Sequence, residues 1–235
     1  MATARSGSTD PSAPRRGTQL TARAVRFDEA VARLGTLPER LPAPPDVLLP
    51  VRTDGAARVP TVRLAGTAAR PAAVLVLVVP GDDGDARVIL TERVDRGGHH
   101  SGEVSFPGGK SEPDDGDAAA TALREATEEV GLDPIAAGVR VVGTLERFWI
   151  PVSDFQVTPV LAIASRRPRL VASPDEVARI VEAPLAAFLP GAEIEIVERT
   201  VRDWPLRYGA YPVDGLRVWG ATARILGQLG ALLAD

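Results

Sequence analysis

Phe106-Pro107-Gly108-Gly109-Lys110, followed after a turn-rich stretch by Arg124-Glu125-Ala126-Thr127-Glu128-Glu129-Val130-Gly131-Leu132, is the part of this sequence that decides its architecture. Ala119, Leu123, Ala126 and Val130 recur at helical spacing, and this apolar stripe predicts a helix over Asp117–Val130. Asp117 suits its N-cap and Gly131 its C′ position. On that helix Glu125, Glu128 and Glu129 stand at i, i+3 and i+4, within an arc of about 100°. Three carboxylates so close repel one another, by about a few tenths of a kcal/mol per exposed pair and more when partly buried. Arg124 can offset Glu128, but one guanidinium cannot neutralise three acids. A hard divalent cation, Mg²⁺ or Mn²⁺, can. A solvated acidic helix face is the alternative that these residues alone leave open. Upstream, Gly108 and Gly109 allow the backbone to approach a ligand closely, and Ser111–Asp117 reads as an acid-rich loop.

Outward from this stretch, Ala72–Val79 is an apolar, β-branched run suited to a buried strand, closed by Pro80 and the turn Gly81-Asp82-Asp83-Gly84, with Arg87–Val94 as its hairpin partner. Val139–Trp149 and Phe155–Ala164 read as further strands. Glu176–Val181 and Ala183–Leu189 read as helical, split at Pro184. Glu193–Arg199 and Leu216–Trp219 read as late strands, and Ala221–Leu233 as a closing helix. The alternation lacks a regular βαβ rhythm, so the expected class is α/β with a mixed sheet covered by helices. Toward the N-terminus, Phe27, Val31 and Leu34 predict a short helix over Arg26–Leu34, and the prolines of Leu41–Pro50 an extended arm. Residues 1–20 have almost nothing to bury and read as a disordered tail. The expected organisation is therefore a tail (1–20), a helix and Pro-rich arm (21–69) and a main domain (70–235).

With 45% apolar and 25% charged residues, the 235-residue chain has globular composition. It contains no cysteine, which removes disulfide scaffolds, thiolate metal sites and cysteine nucleophiles. A net charge of −4 argues against a general nucleic-acid or anionic-membrane binder. The longest apolar run is far too short to span a bilayer and the N-terminus has no signal-peptide core, so the expectation is a soluble cytoplasmic protein. The single lysine, Lys110, among 27 basic residues leads to the expectation of a high-GC bacterial genome and says nothing about chemistry.

The glutamate-bearing stretch resembles the Nudix box of the Nudix hydrolases, G-x5-E-x7-R-E-U-x-E-E-x-G-U with U bulky and apolar. Arg124, Glu125, Glu128, Glu129, Gly131 and Leu132 match its second half, with Ala126 at the first U. The first half departs from the pattern: five residues beyond Gly109 stands Asp115, followed by eight residues before Arg124, so the loop is one residue longer and its acid shorter. A second stretch resembles the coenzyme A pyrophosphatase signature, L-L-T-x-R-[SA]-x3-R-x3-G-x3-F-P-G-G. Leu90, Thr91, Arg93, Gly102, Phe106, Pro107, Gly108 and Gly109 match, while Ile89, Val94 and Gly98 replace its first Leu, its small residue and its second Arg, with Arg96 close by. Trp219-Gly220-Ala221-Thr222-Ala223 also resembles this branch.

The resemblance implies a Nudix-like α/β/α sandwich and metal-dependent hydrolysis of a diphosphate linkage, with coenzyme A yielding 3′,5′-ADP and 4′-phosphopantetheine. It implies Mg²⁺ or Mn²⁺ on Glu125 and Glu129, and Glu128 as a third ligand or as the group that positions or deprotonates water. It further implies Arg124 holding the glutamates, Gly108 and Gly109 shaping the substrate loop, Arg93 and Arg96 anchoring phosphate, and Gly131 ending the helix. The expected partner is a small-molecule nucleotide, with no nucleic acid and no membrane; a homodimer stays open. ADP-ribose or a dinucleotide is the alternative substrate, and a non-catalytic nucleotide sensor the alternative class. Asp175-Glu176 offers another acid, as catalytic base or as helix N-terminal charge. His99 and His100, adjacent in sequence, point to opposite faces of a strand and cannot readily chelate one metal. Trp149, Phe155, Trp204, Tyr208 and Tyr211 are candidates to stack on adenine, or are core.

Overall fold

A computed structural model describes residues 24–55, 69–94, 103–151, 153–201 and 203–234. The readings made for residues 1–20 and for Arg96, Gly98, His99 and His100 lie outside the described residues.

The apolar run becomes β2 (Arg70–Pro80), joined by the predicted turn to β3 (Ala86–Arg93). A strand this apolar must be buried on both faces, and it is. Its residues alternate between two cores. Ala73, Leu75, Leu77 and Val79 face a helix, α2 (Ala118–Val130), while Val76 and Val78 face the opposite layer. That second layer holds α1 (Phe27–Leu34) and α4 (Gly220–Leu232), with Leu34, Leu226 and Leu229 fully buried. The sheet between them is mixed. β2 runs parallel to β8 (Phe155–Ala164), and antiparallel partners surround this pair: β4 (Val104–Ser105) on β3, β5 (Gly108–Lys110) on β2, and β6 (Val139–Thr144) and β7 (Phe148–Ile150) on β8. Helices on both faces of a mixed sheet make the expected α/β/α sandwich.

The predicted Val139–Trp149 strand is divided at Leu145–Arg147, so that β6 and β7 pair with different halves of β8. The two helices expected over Glu176–Val181 and Ala183–Leu189 are not formed. Val177–Pro184 is instead β9, antiparallel to β3, and Leu185–Phe188 is a short 3₁₀ turn. Val177, Ile180 and Val181 suit a pleated surface, and the unpaired outer edge of β3 supplies the hydrogen-bonding partner.

A smaller antiparallel sheet comprises β10 (Glu195–Val201), β11 (Trp204–Val213), β12 (Leu216–Val218) and the two-residue β1 (Val51–Arg52). β11 is absent from the sequence reading, because Pro205, Gly209 and Pro212 punctuate it like a loop. The N-terminal segment is anchored on the C-terminal helix. Leu48 is fully buried, an Arg33 guanidinium nitrogen donates to the Leu233 carbonyl, and the buried Gln228 amide donates to Pro42 O at 2.9 Å while accepting from Glu146 N–H at 3.0 Å. Gln228→Leu keeps the volume but leaves the part-buried Pro42 carbonyl and Glu146 N–H without this partner. It is expected to destabilise the fold by roughly 1–3 kcal/mol, read as a lowered midpoint in urea titration.

Candidate functional site

Helix α2 is fixed in rotation by Ala122, Ala126 and Val130, all buried against the sheet. Asp117 caps it by accepting from Ala120 N–H at 2.8 Å, and Gly131 ends it in the left-handed conformation at φ 64°. With this stripe turned inward, Glu129 is carried under the edge of the sheet and only 4% of it is exposed. Its Oε2 accepts a hydrogen bond from Gly108 N–H at 3.2 Å. One turn back, Glu125 lies against Gly109, so closely that a Cβ on that glycine would stand 2.5 Å from its Oε1. Glu125 and Glu129 thus share a slot beneath the Gly108-Gly109 backbone. Glu128, on the same helix face, is turned outward and pairs with Arg124 Nη1 at 3.0 Å.

Arg124 joins the helix to the loop before it. Besides Glu128 it contacts Glu125 at 3.1 Å and donates to Lys110 O at 3.1 Å. Asp115 grips it bidentately, Nε and Nη2 each at 3.1 Å, while also accepting from the Thr121 hydroxyl and Glu112 N–H, both at 2.9 Å. These donors hold the Asp115 carboxyl below the usual carboxylate range and raise Arg124 above its ordinary value, Asp115 being the largest cause. With its oxygens occupied in this way, Asp115 orients Arg124 instead of facing the slot.

The slot is electrostatically unsatisfied. Burial is the main cause that pushes Glu129 up to about 7, opposed by the Gly108 amide and the Arg93 charge and assisted by Glu125 and Glu176. Glu125 is raised as well, again chiefly by burial, with Arg124 opposing and Glu128 and Glu176 adding to the rise. Glu176, weighed in the sequence as a base or a helix-terminal charge, therefore borders both slot carboxylates. It does not start a helix. It lies in a turn held by Ser173 N–H to Glu129 O at 2.8 Å, Glu176 N–H to Ser173 O at 3.1 Å and Val94 N–H to Glu176 O at 3.1 Å. Its nearness to Glu129 comes from the chain crossing the end of α2, which no local pattern announces. Arg93 ends β3 on the same side.

Among the described residues no three carboxylate or imidazole side chains already converge as a metal cage. The donor set nonetheless fits a hard divalent cation: two desolvated carboxylates face one backbone loop, and a third lies within their field. The aromatic candidates are committed elsewhere. Trp149 donates to Asp154 at 2.9 Å, Phe155 lies under Arg70, Trp204 under Arg52, and Tyr211 is buried edge-on to Phe188 with its hydroxyl pushed up to about 12 by that burial. Tyr208 stacks on Trp219.

A mixed-sheet sandwich presenting helix-borne glutamates beneath a Gly-Gly loop defines a class of fold built around acidic, cation-compatible sites. The NUDIX domain family profile matches residues 69–197, and the chain belongs to that family. It is 42% identical over 164 residues to Nudix hydrolase 15, mitochondrial, of Arabidopsis thaliana, covering 66% of this chain and 55% of that protein. It is 39% identical over 169 residues to the uncharacterized Nudix hydrolase NudL of Citrobacter koseri, covering 68% and 81%. The chain thus spans about half the length of the plant relative. The crystal structure of a Nudix hydrolase from M. smegmatis, RenU, superposes with a TM-score of 0.48 at 21% identity, covering 70% of this chain and 86% of that one.

Two outcomes test this geometry. A Cβ at Gly108, whose φ is 154°, would stand 2.4 Å from Ala73 O and 2.6 Å from Val74 Cα, backbone atoms that cannot yield. Gly108→Ala should therefore cost roughly 2–4 kcal/mol of stability, whereas Gly109→Ala should fold and displace only the Glu125 carboxylate; thermal melts separate the two. The second outcome concerns pH. The folded-state value for Glu129 lies above its ordinary 4.5, so its contribution to stability is present below that value and is lost as pH rises through about 7. Without metal, Glu129→Gln should melt higher than the parent at pH 8, by about 1–3 kcal/mol, and this advantage should vanish near pH 4.5.

Proposed function

We propose that this protein hydrolyses a diphosphate bridge in a nucleotide-derived substrate with the help of Mg²⁺ or Mn²⁺, and that coenzyme A or a derivative is that substrate. The observation that carries the reading is the pairing of Glu125 and Glu129 in a desolvated slot under Gly108-Gly109. Two carboxylates are kept there at an energetic cost that a bound cation would offset. Glu125 and Glu129 would hold the cation, with Glu128 reaching the slot by releasing Arg124. The cation, when bound, supplies Lewis acidity toward the diphosphate oxygens.

The protein's own groups do the rest. Gly108 and Gly109 bring the substrate oxygens close because no side chain stands between them and the helix. Arg93 anchors a phosphate, and Arg124 keeps Glu125 in place while Asp115 holds it. Glu128 or Glu176 takes a proton as water oxygen bonds to phosphorus. The bridging P–O bond breaks, and the leaving phosphate carries away the electron pair, giving 3′,5′-ADP and 4′-phosphopantetheine from coenzyme A. Leu90, Thr91, Arg93 and Phe106–Gly109 of the matched signature support coenzyme A. Gly98, where that signature has arginine, favours ADP-ribose or a dinucleotide as the second reading.

Hydrolysis is expected to stop in EDTA and to fall about 100-fold or more in kcat for Glu129→Gln, in line with several kcal/mol of transition-state stabilisation. Full turnover under either condition would remove the metal assignment. Neutralising Arg93 should raise KM for coenzyme A by roughly 10- to 150-fold, the equivalent of ~1.5–3 kcal/mol. If ADP-ribose surpasses coenzyme A tenfold in kcat/KM, the substrate is the second reading and the chemistry is unchanged.

A further inference from the structure

One cationic side chain outside the slot is held on an aromatic plate. In the small sheet, Val197 of β10 lies opposite Tyr208 of β11, and Arg199 opposite Leu206, so Arg199 and Tyr208 share a face. Tyr208 stacks on Trp219 with centroids 4.7 Å apart at 26°, and the Arg199 guanidinium lies 5.2 Å from the Trp219 ring centre. Arg199 is exposed and has no carboxylate partner among the described residues. Arg217 adds a second guanidinium to the same face, tied to Glu195 at 2.6 Å. Stacking fixes the plane of the Arg199 guanidinium and leaves its N–H edge for an anion.

This face is tied to the strand that leads into the carboxylate slot. The Thr222 hydroxyl, three residues after Trp219, donates to Val104 O at 2.9 Å, fastening the start of α4 to β4. β4 leads through Phe106 and Pro107 into Gly108. Arg93 N–H donates to Glu103 O at 3.1 Å, so Glu103 stands beside the residue whose charge acts on Glu129. Glu103, Arg199 and Arg217 all act electrostatically on the Tyr208 hydroxyl. A run of contacts and charge interactions thus links Glu129 through Arg93, Glu103 and Tyr208 to Arg199 and Trp219.

We propose that Arg199, supported by Trp219 and assisted by Arg217, is the subsite for a phosphate that the substrate carries outside its diphosphate bridge. The proposal takes from the preceding reading only that the bridge lies over Glu125 and Glu129. A nucleotide half extending past Arg93 then brings a ribose phosphate to the Arg199 edge, where a charge-assisted contact distinguishes it from a nucleotide lacking that group.

Binding of 3′,5′-ADP and of 5′-AMP to the full chain with Mg²⁺, followed by calorimetry, tests this without requiring turnover. The parent protein should bind 3′,5′-ADP about tenfold or more tightly than 5′-AMP. Arg199→Gln should bring the two within about twofold by weakening only 3′,5′-ADP, and Arg199→Lys should recover part of the preference. Arg207→Gln, on the opposite face of the neighbouring strand β11, should change nothing. Equal affinities in the parent, or a preference that survives in the Arg199→Gln/Arg217→Gln double variant, overturns the subsite. The two readings fail separately. Preference for 3′,5′-ADP without coenzyme A turnover removes the proposed substrate and keeps the subsite, whereas turnover without preference removes the subsite and keeps the reaction.

Discussion

Packing α2 against β2 forces a choice on the residues of its opposite side, and the structure resolves it by burying charge. Ala122, Ala126 and Val130 cannot reach the sheet unless Glu129 is drawn beneath the Gly108 amide and Glu125 against Gly109. The hydrophobic contact is nondirectional and strong, and the carboxylates are carried along with it. A buried carboxylate with one amide donor is poorly satisfied, and so the slot selects for whatever positive charge can enter. Stability of the helix and reactivity of the site thus arise from the same seating of one element.

Around that seating, Arg124 works as a spacer more than as a counter-charge. Its fork meets Asp115 on one edge and the helix glutamates on the other, and it also binds the Lys110 carbonyl. A planar, permanently charged group can hold these four partners at set distances in a way an ammonium cannot. The loop Ser111–Asp117 consequently has little freedom of its own, because Asp115 is locked by Arg124, Thr121 and Glu112.

The helix, its caps and the strands β2 and β8 were legible because each depends on a local pattern: an apolar stripe, Asp117 and Gly131, and two apolar runs; that β2 and β8 pair in parallel was not. What escaped the sequence depends on distant partners. Val177–Pro184 carries residues that serve either helix or strand, and the free edge of β3 decides between them. Trp204–Val213 looks like loop until β1 and β10 pair with it on either side and β12 pairs with its end. At the site, the three glutamates of α2 were evident from spacing alone. The inward turn of two and the outward turn of Glu128 follow from helix rotation, and the approach of Glu176 follows from a crossover that only the folded chain contains.

The clasp between the N-terminal arm and α4 bears on how the chain is made. Leu34 and Leu48 are buried in a core completed by Leu226 and Leu229, and Gln228 is the partner of Pro42. These contacts join positions separated by most of the chain's length, so their loop-closure entropy is met late. During synthesis the first helix meets β3 and the turn before it early, through Phe27 N–H to Gly84 O and the Arg26–Asp85 pair, whereas Pro42–Leu48 must wait as a partly apolar segment until α4 is made. The exposure of Leu48 and of the Pro-rich segment to proteolysis and aggregation is therefore concentrated in that interval.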